Sequence, residues 1–140
     1  MAECKVQQKL LITHPENTEF VDGGAFRPQF LYRELGVDEN TGGAYGAHVI
    51  RAGRLRTPIA EHKHTELDFL FVYVIRGWVS FDYVGHGEHT LKAGSCHMIP
   101  PGLSHSVTGF SDDLEMIEIT SPGQYRTIDT VNGKDVAVTA

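Results

Sequence analysis

The chain has 140 residues, of which 41% are hydrophobic and 21% charged, with 15 Gly, 6 Pro and a formal net charge of −6. That is one domain's length with enough apolar side chain for a core, and so many glycines favour short strands joined by turns. No basic run offers a nucleic-acid surface, no apolar run approaches the roughly 18 residues of a membrane span, and Cys4 and Cys96 are too few for a disulfide framework or a cysteine-based zinc site.

Residues 1 to about 20 carry little pattern, and KVQQKLLI reads equally as a strand or a short turn of helix. The same stretch lacks the apolar core and cleavage site of a signal peptide, so a cytoplasmic location is expected. After Gly23 and Gly24 comes FRPQFLYREL, where Pro28 argues for an edge strand or an arm rather than a helix interior. Gly36 to Gly46 is dense in turn formers and reads as a loop. AHVIRAG reads as a short strand, and LRTPIAEHKH continues extended because Pro58 keeps Thr57 out of the helical region. Phe69 to Ile75 is a strand with apolar side chains on both faces, as in a sheet buried on both sides. Arg76-Gly77 turns the chain into WVSFDYV, and Gly85 to Glu88 reads as a hairpin loop. HTLKAG leads to a turn at Gly94, followed by SCHMIP and the Pro-Pro-Gly turn at 100–102. Leu114 to Thr120 is the last strand, and residues 121–140 read as a tail packed on the outside or on a neighbouring subunit. The sum is an all-β chain of about eight to ten short strands, an antiparallel barrel or jelly roll.

Chemistry concentrates in two segments. His62 and His64 stand two apart on an extended chain, so both imidazoles point to one face and can reach one metal ion. The second segment, Gly94 to His105, ends in another histidine after its proline-rich turn. Together they resemble the paired motifs of the cupin superfamily, small β-barrels with a metal centre in the mouth. Gly53 lies one residue further from His62 than the commonest first motif asks, His62-Lys63-His64 is intact, and Gly77 ends the block. In the second motif Gly94, Pro100, Gly102 and His105 match at every spacing, while Gly109 stands where an asparagine is usual. The resemblance covers roughly residues 44–121. It implies a single cupin domain, with residues 1–43 as an N-terminal arm and strands and 122–140 as a C-terminal tail.

The first motif of that family also carries a glutamate. Counting six spacers back from Gly77 puts Leu70 in its place, whereas counting three forward from His64 gives Asp68. An extra residue is absorbed more easily in the loop after His64 than in the paired strand before Gly77, so Leu70 is preferred. The implied metal centre is then His62, His64 and His105, with Asp68 as the alternative fourth ligand and Glu66 a solvated loop charge. Three neutral imidazoles leave a divalent ion its full +2 charge, which favours an anionic chelating ligand such as an enolate, carboxylate or thiolate. Imidazole suits several metals alike, and three protein ligands leave positions open, as in a catalytic site.

Within the family, such centres are similar to those of non-haem Fe(II) dioxygenases, including small enzymes that cleave β-diketones. The resemblance implies a homodimer that uses O2 and Fe(II), with Zn(II), Mn(II) or Ni(II) as alternatives, on a small-molecule substrate. A redox-neutral isomerase, lyase or hydrolase, and a barrel that binds a ligand without turnover, are the competing expectations. Around the centre, His48 and Arg51 fall on opposite faces of one strand, so at most one lines the pocket. His97 is expected as a surface group, or else as a hydrogen-bond partner to a ligand. His86 and His89 flank the hairpin loop in solvent. Glu115 and Glu118 share the last strand with one per face at most, either being an alternative base. Phe69, Phe71, Tyr73, Trp78, Phe81 and Tyr83 are expected in the core, at an interface or on the pocket wall. Leu70 near the metal would favour a bulky organic substrate over a sugar phosphate.

Overall fold

The computed structural model describes residues 7–25 and 27–136; Cys4 and Phe26 lie outside the described residues. In chain order the first strands are β1 (Val21–Gly23), β2 (Arg27–Glu34), β3 (Gly46–Ala52), β4 (Ile59–Thr65), β5 (Phe69–Arg76) and β6 (Trp78–Tyr83). Then come β7 (Gly87–Lys92), β8 (Cys96–Met98), β9 (His105–Phe110), β10 (Glu115–Ser121), β11 (Arg126–Val131) and β12 (Lys134–Asp135). They form two antiparallel six-stranded sheets, ordered β1-β2-β3-β10-β5-β8 and β12-β11-β4-β9-β6-β7. The non-sequential order, with β10 between β3 and β5 and β4 between β11 and β9, is that of a jelly roll. The all-β expectation holds, with more and shorter strands than the turn spacing indicated. No described helix is long and apolar enough to cross a membrane.

The core lies between the sheets. From the first it takes Phe30, Ile50, Leu70, Val72, Val74 and Met116; from the second, Ile59, Val79, Phe81, Leu91, Val107 and Phe110. Val74 and Val79 are fully buried, and each such side chain contributes about 1.5–3 kcal/mol by leaving water. Phe30, Ile50, Leu70, Val72, Phe81 and Met116 of this core also line a cavity between the sheets.

Four expectations need correcting. The β5 sheet is not buried on both faces: Leu70, Val72 and Val74 point inward, but Phe69, Tyr73 and Ile75 are 40–46% exposed on the other side. Aromatic and β-branched residues at alternate outward positions mimicked the two-sided pattern. β2 is not an edge, because β1 pairs along its outer side. The Gly36–Gly46 segment contains one helical turn, α1 (Val37–Asn40), entered through Gly36 at φ 88°. The expected tail is part of the second sheet. β11 pairs with β4, placing Thr127 opposite His64 and Asp129 opposite His62, and Asn132 (φ 51°) and Gly133 (φ 83°) turn it into β12. An Asn-Gly pair after an alternating strand is the hairpin signal that could have revealed it. Residues 7–20 form neither strand nor helix.

Candidate metal centre

His62 and His64 share the inner face of β4, while Lys63 between them points away to an ion pair with Asp135 at 2.5 Å. β9 runs antiparallel to β4 and sets its first residue, His105, opposite His62. The three rings therefore converge, with centroids 4.5 Å apart for His62 and His105, 5.1 Å for His62 and His64, and 5.2 Å for His64 and His105. One nitrogen from each lies within 4.8 Å of the others.

The far side of each ring decides which nitrogen that is. His62 Nδ1 is 2.7 Å from the Ala60 carbonyl oxygen and His105 Nδ1 is 3.0 Å from that of Leu103. A carbonyl oxygen only accepts, so both Nδ1 atoms carry the hydrogen and both Nε2 atoms present a lone pair. His64 Nδ1 meets Thr127 Oγ1 at 3.0 Å; a hydroxyl both donates and accepts, so this bond orients the third ring without by itself setting its tautomer. Protonation is suppressed as well. Burial, reinforced by repulsion from His105, pushes His62 down to about 3 and His64 down to about 4. Burial also pulls His105 below its ordinary value. Three neutral rings converging on one point fit the ligand set of a divalent ion, held in place by hydrogen bonds behind each ring.

The histidines line a cavity of about 840 Å³ that reaches between the sheets. Its floor is apolar, with Leu70 1% exposed and Val72 2% exposed. Leu70 thus lines the same cavity as the three histidines. Asp68 does not approach: it is exposed just before β5, tied by its backbone N–H to the Ser121 carbonyl, and Glu66 is exposed too. The geometric cluster contains three imidazoles and no carboxylate.

A second polar group lines the same cavity. His48 points inward from β3, with Nε2 2.8 Å from Glu118 Oε1 and Nδ1 3.3 Å from Glu34 Oε1. Burial pulls the His48 ring down, but its bonds to Glu118 and Glu34 outweigh that and push it up to about 10. Burial likewise raises Glu118, and the bond from His48 more than reverses it, so the carboxyl ends below its usual range. Tyr125 donates its hydroxyl to Glu118 Oε1 at 3.4 Å and sets its ring against His64, centroids 5.0 Å apart. Burial drives the Tyr125 phenol upward, so it keeps its proton. Arg27 and Tyr32 also line this end. Arg51, as alternation requires, points outward and binds Glu115 at 2.6 Å.

His97 is a correction. It is not on the outer surface but faces the cavity, because β8 pairs with β5 so that His97 lies opposite the inward Val72. Its Nδ1 is 2.7 Å from the Tyr83 hydroxyl, its ring packs on Phe81, and burial pulls it down to about 4. His86 and His89 are exposed beside the β6–β7 turn. Thr127, Tyr125 and Tyr32 are site residues that the sequence reading missed.

A family model described as a cupin domain matches residues 49–120. No curated protein matches the chain significantly. Among solved structures it is similar to KdgF from Halomonas sp., at 16% identity and TM-score 0.65, over 83% of this chain and 96% of that one. It is similar to the polyketide cyclase RemF from Streptomyces resistomycificus, at 13% identity and TM-score 0.67, over 94% and 88% of the two chains. Oxalate decarboxylase from Bacillus subtilis aligns at 14% identity and TM-score 0.57, over 72% of this chain and 28% of that one. At such identities the likeness is one of fold, and this fold carries many chemistries.

Proposed function

The chain belongs to the cupin domain family, and on that basis we propose a metal-dependent enzyme acting on a small carbonyl compound bound as its enolate. With Fe(II), the reaction is cleavage of a carbon–carbon bond in a β-dicarbonyl by O2, both oxygen atoms ending in the products, a carboxylic acid and an α-dicarbonyl. The carrying observation is the convergence of three neutral imidazoles without a carboxylate among them. A bound divalent ion supplies Lewis acidity towards the substrate's oxygens and, as iron(II), electrons for O2. The protein's own part is to aim three Nε2 lone pairs, to leave room for two substrate oxygens, and to keep water from the substrate with Leu70, Val72 and Phe81. An enolate offsets part of the charge that the donor set leaves uncompensated.

A redox-neutral reaction, such as isomerisation, elimination or cyclisation with Zn(II), Mn(II) or Ni(II), is the second reading. It is favoured by the His48, Glu118 and Tyr125 group, which places proton-transfer residues in the same cavity. Metal analysis of protein purified without added metal, followed by O2 uptake with a β-diketone panel, separates the two. Bound iron with O2 uptake supports cleavage, whereas turnover without O2 supports the second reading. Neither activity with any metal leaves a ligand-binding barrel.

A further inference from the structure

We infer that Glu118 is a catalytic residue, the base that takes the α-proton as the dicarbonyl becomes an enolate. The inference rests on the enolate reading above and assigns the step that reading leaves without an agent. The proton must go to a group that faces the cavity and is not itself aimed at the metal position. His97 faces it too, but its Nδ1 is engaged by the Tyr83 hydroxyl and its ring is packed on Phe81, whereas Glu118 is joined to the centre through Tyr125. The three histidines of the centre have their lone pairs committed to that position. His48 has both nitrogens engaged by carboxylates and already carries its proton. Tyr125 holds its proton and donates it. Glu34 is the other carboxylate of the cluster, and its side chain is 62% exposed at the rim, against 15% for Glu118.

Glu118 is also placed for the step. Tyr125 touches both its carboxylate and the His64 ring, so a single phenol spans from the base to the metal position. The bonds from His48 and Tyr125 both end on Oε1, which clamps the carboxylate's orientation in the cavity wall. The bookkeeping is simple: the substrate C–H bond breaks, its electron pair spreads over the two carbonyl oxygens, and an O–H bond forms on Glu118. No oxidant enters. His48 stays protonated beside the carboxylate and is a positioning residue.

The test is deuterium exchange at the central carbon of pentane-2,4-dione, followed by NMR in D2O under nitrogen with metal-loaded protein and measured above the buffer rate. Wild-type protein should accelerate exchange. Glu118→Gln should lower that acceleration by about 100-fold or more, the usual scale of a positioned base, while retaining the metal. Glu118→Gln that retains metal and exchanges at the wild-type rate overturns the assignment. Wild-type protein that binds metal but accelerates no exchange sinks the enolate reading itself, a separate outcome. Because Glu118→Gln leaves the His48 imidazolium without its inner partner, the double variant Glu118→Gln/His48→Gln exchanges the ion pair for two amides and should lack exchange as well. A readout independent of turnover is the NMR titration of His48 in metal-free protein. Its ring should hold a proton well into alkaline pH in wild type and release it nearer neutrality in Glu118→Gln. An unchanged His48 titration contradicts the coupling on which the assignment stands.

Discussion

Two backbone carbonyls, of Ala60 and Leu103, settle what His62 and His105 can do: by occupying Nδ1 they leave Nε2 as a base with nowhere to turn but the centre. Each histidine is therefore indispensable in a way that Asp68 is not. His62→Ala, His64→Ala and His105→Ala should each empty the metal site, and Asp68→Ala should leave metal content unchanged, read by elemental analysis of purified protein. A bound metal in Asp68→Ala at a fraction of the wild-type amount would put a carboxylate back among the ligands. Thr127 is the subtler case, since it would act on a bound ion only through His64. Thr127→Val keeps the shape but removes the hydrogen bond, and metal affinity should fall about 10- to 100-fold in a competition titration against a chelator. His62 and His64 were readable from their two-residue spacing, and His105 from the resemblance of its segment to the second cupin motif. Thr127 was not, because a threonine in a C-terminal stretch carries no mark of the strand it will face.

Two strands that wall the cavity, β5 and β11, differ in how plainly the chain announces them. β5 was visible as a run of β-branched and aromatic residues, and the glycine that ends it is required by geometry. Gly77 sits at φ 75°, and a side-chain carbon there would run into Ser111 Oγ and the Asp113 carboxylate. Gly77→Ala should thus destabilise by at least about 1–2 kcal/mol for the left-handed backbone alone, seen as a lower urea midpoint with unchanged slope. A midpoint equal to wild type would mean that the turn relaxes freely. β11 was harder to see: its pairing with β4 joins residues more than sixty apart, and the Asn132-Gly133 turn that follows is its one local mark. Once formed it is well anchored, because Thr130 Oγ1 and the Gly133 N–H both bond the Glu61 carboxylate on β4. Counting back from Gly77, with the extra residue placed in the loop after His64, put Leu70 rather than Asp68 in the inward position, and Leu70 does lie inward.

At the scale of the whole molecule, the two polar groups of the cavity oppose each other in pH. His62, His64 and His97 take a proton near 6.5 in the unfolded chain but only at about 3 to 4 when folded. Between those values the unfolded state binds more protons, so stability rises as pH climbs towards 6.5. His48 runs the other way: folded, it keeps its proton up to about 10, so its contribution is full below 6.5 and is lost as pH rises towards 10. Metal-free protein should therefore melt at its highest temperature near pH 6.5, the ordinary value for these rings, and His48→Gln should flatten the alkaline limb measured by calorimetry. A melting temperature that keeps rising above that pH in wild type would contradict the His48 assignment. What residue order alone established was local: the two-residue repeat of a strand puts His62 and His64 on one side, and turn chemistry separates the short strands. The inward placement of His48, its meeting with Glu118 seventy positions away, the exclusion of Asp68 and the arrival of Tyr125 and Thr127 depended on which strands pair. Side-chain alternation is a property of a few consecutive residues, whereas strand partnership is chosen by burying one common core, and that choice exists only when the whole chain has folded.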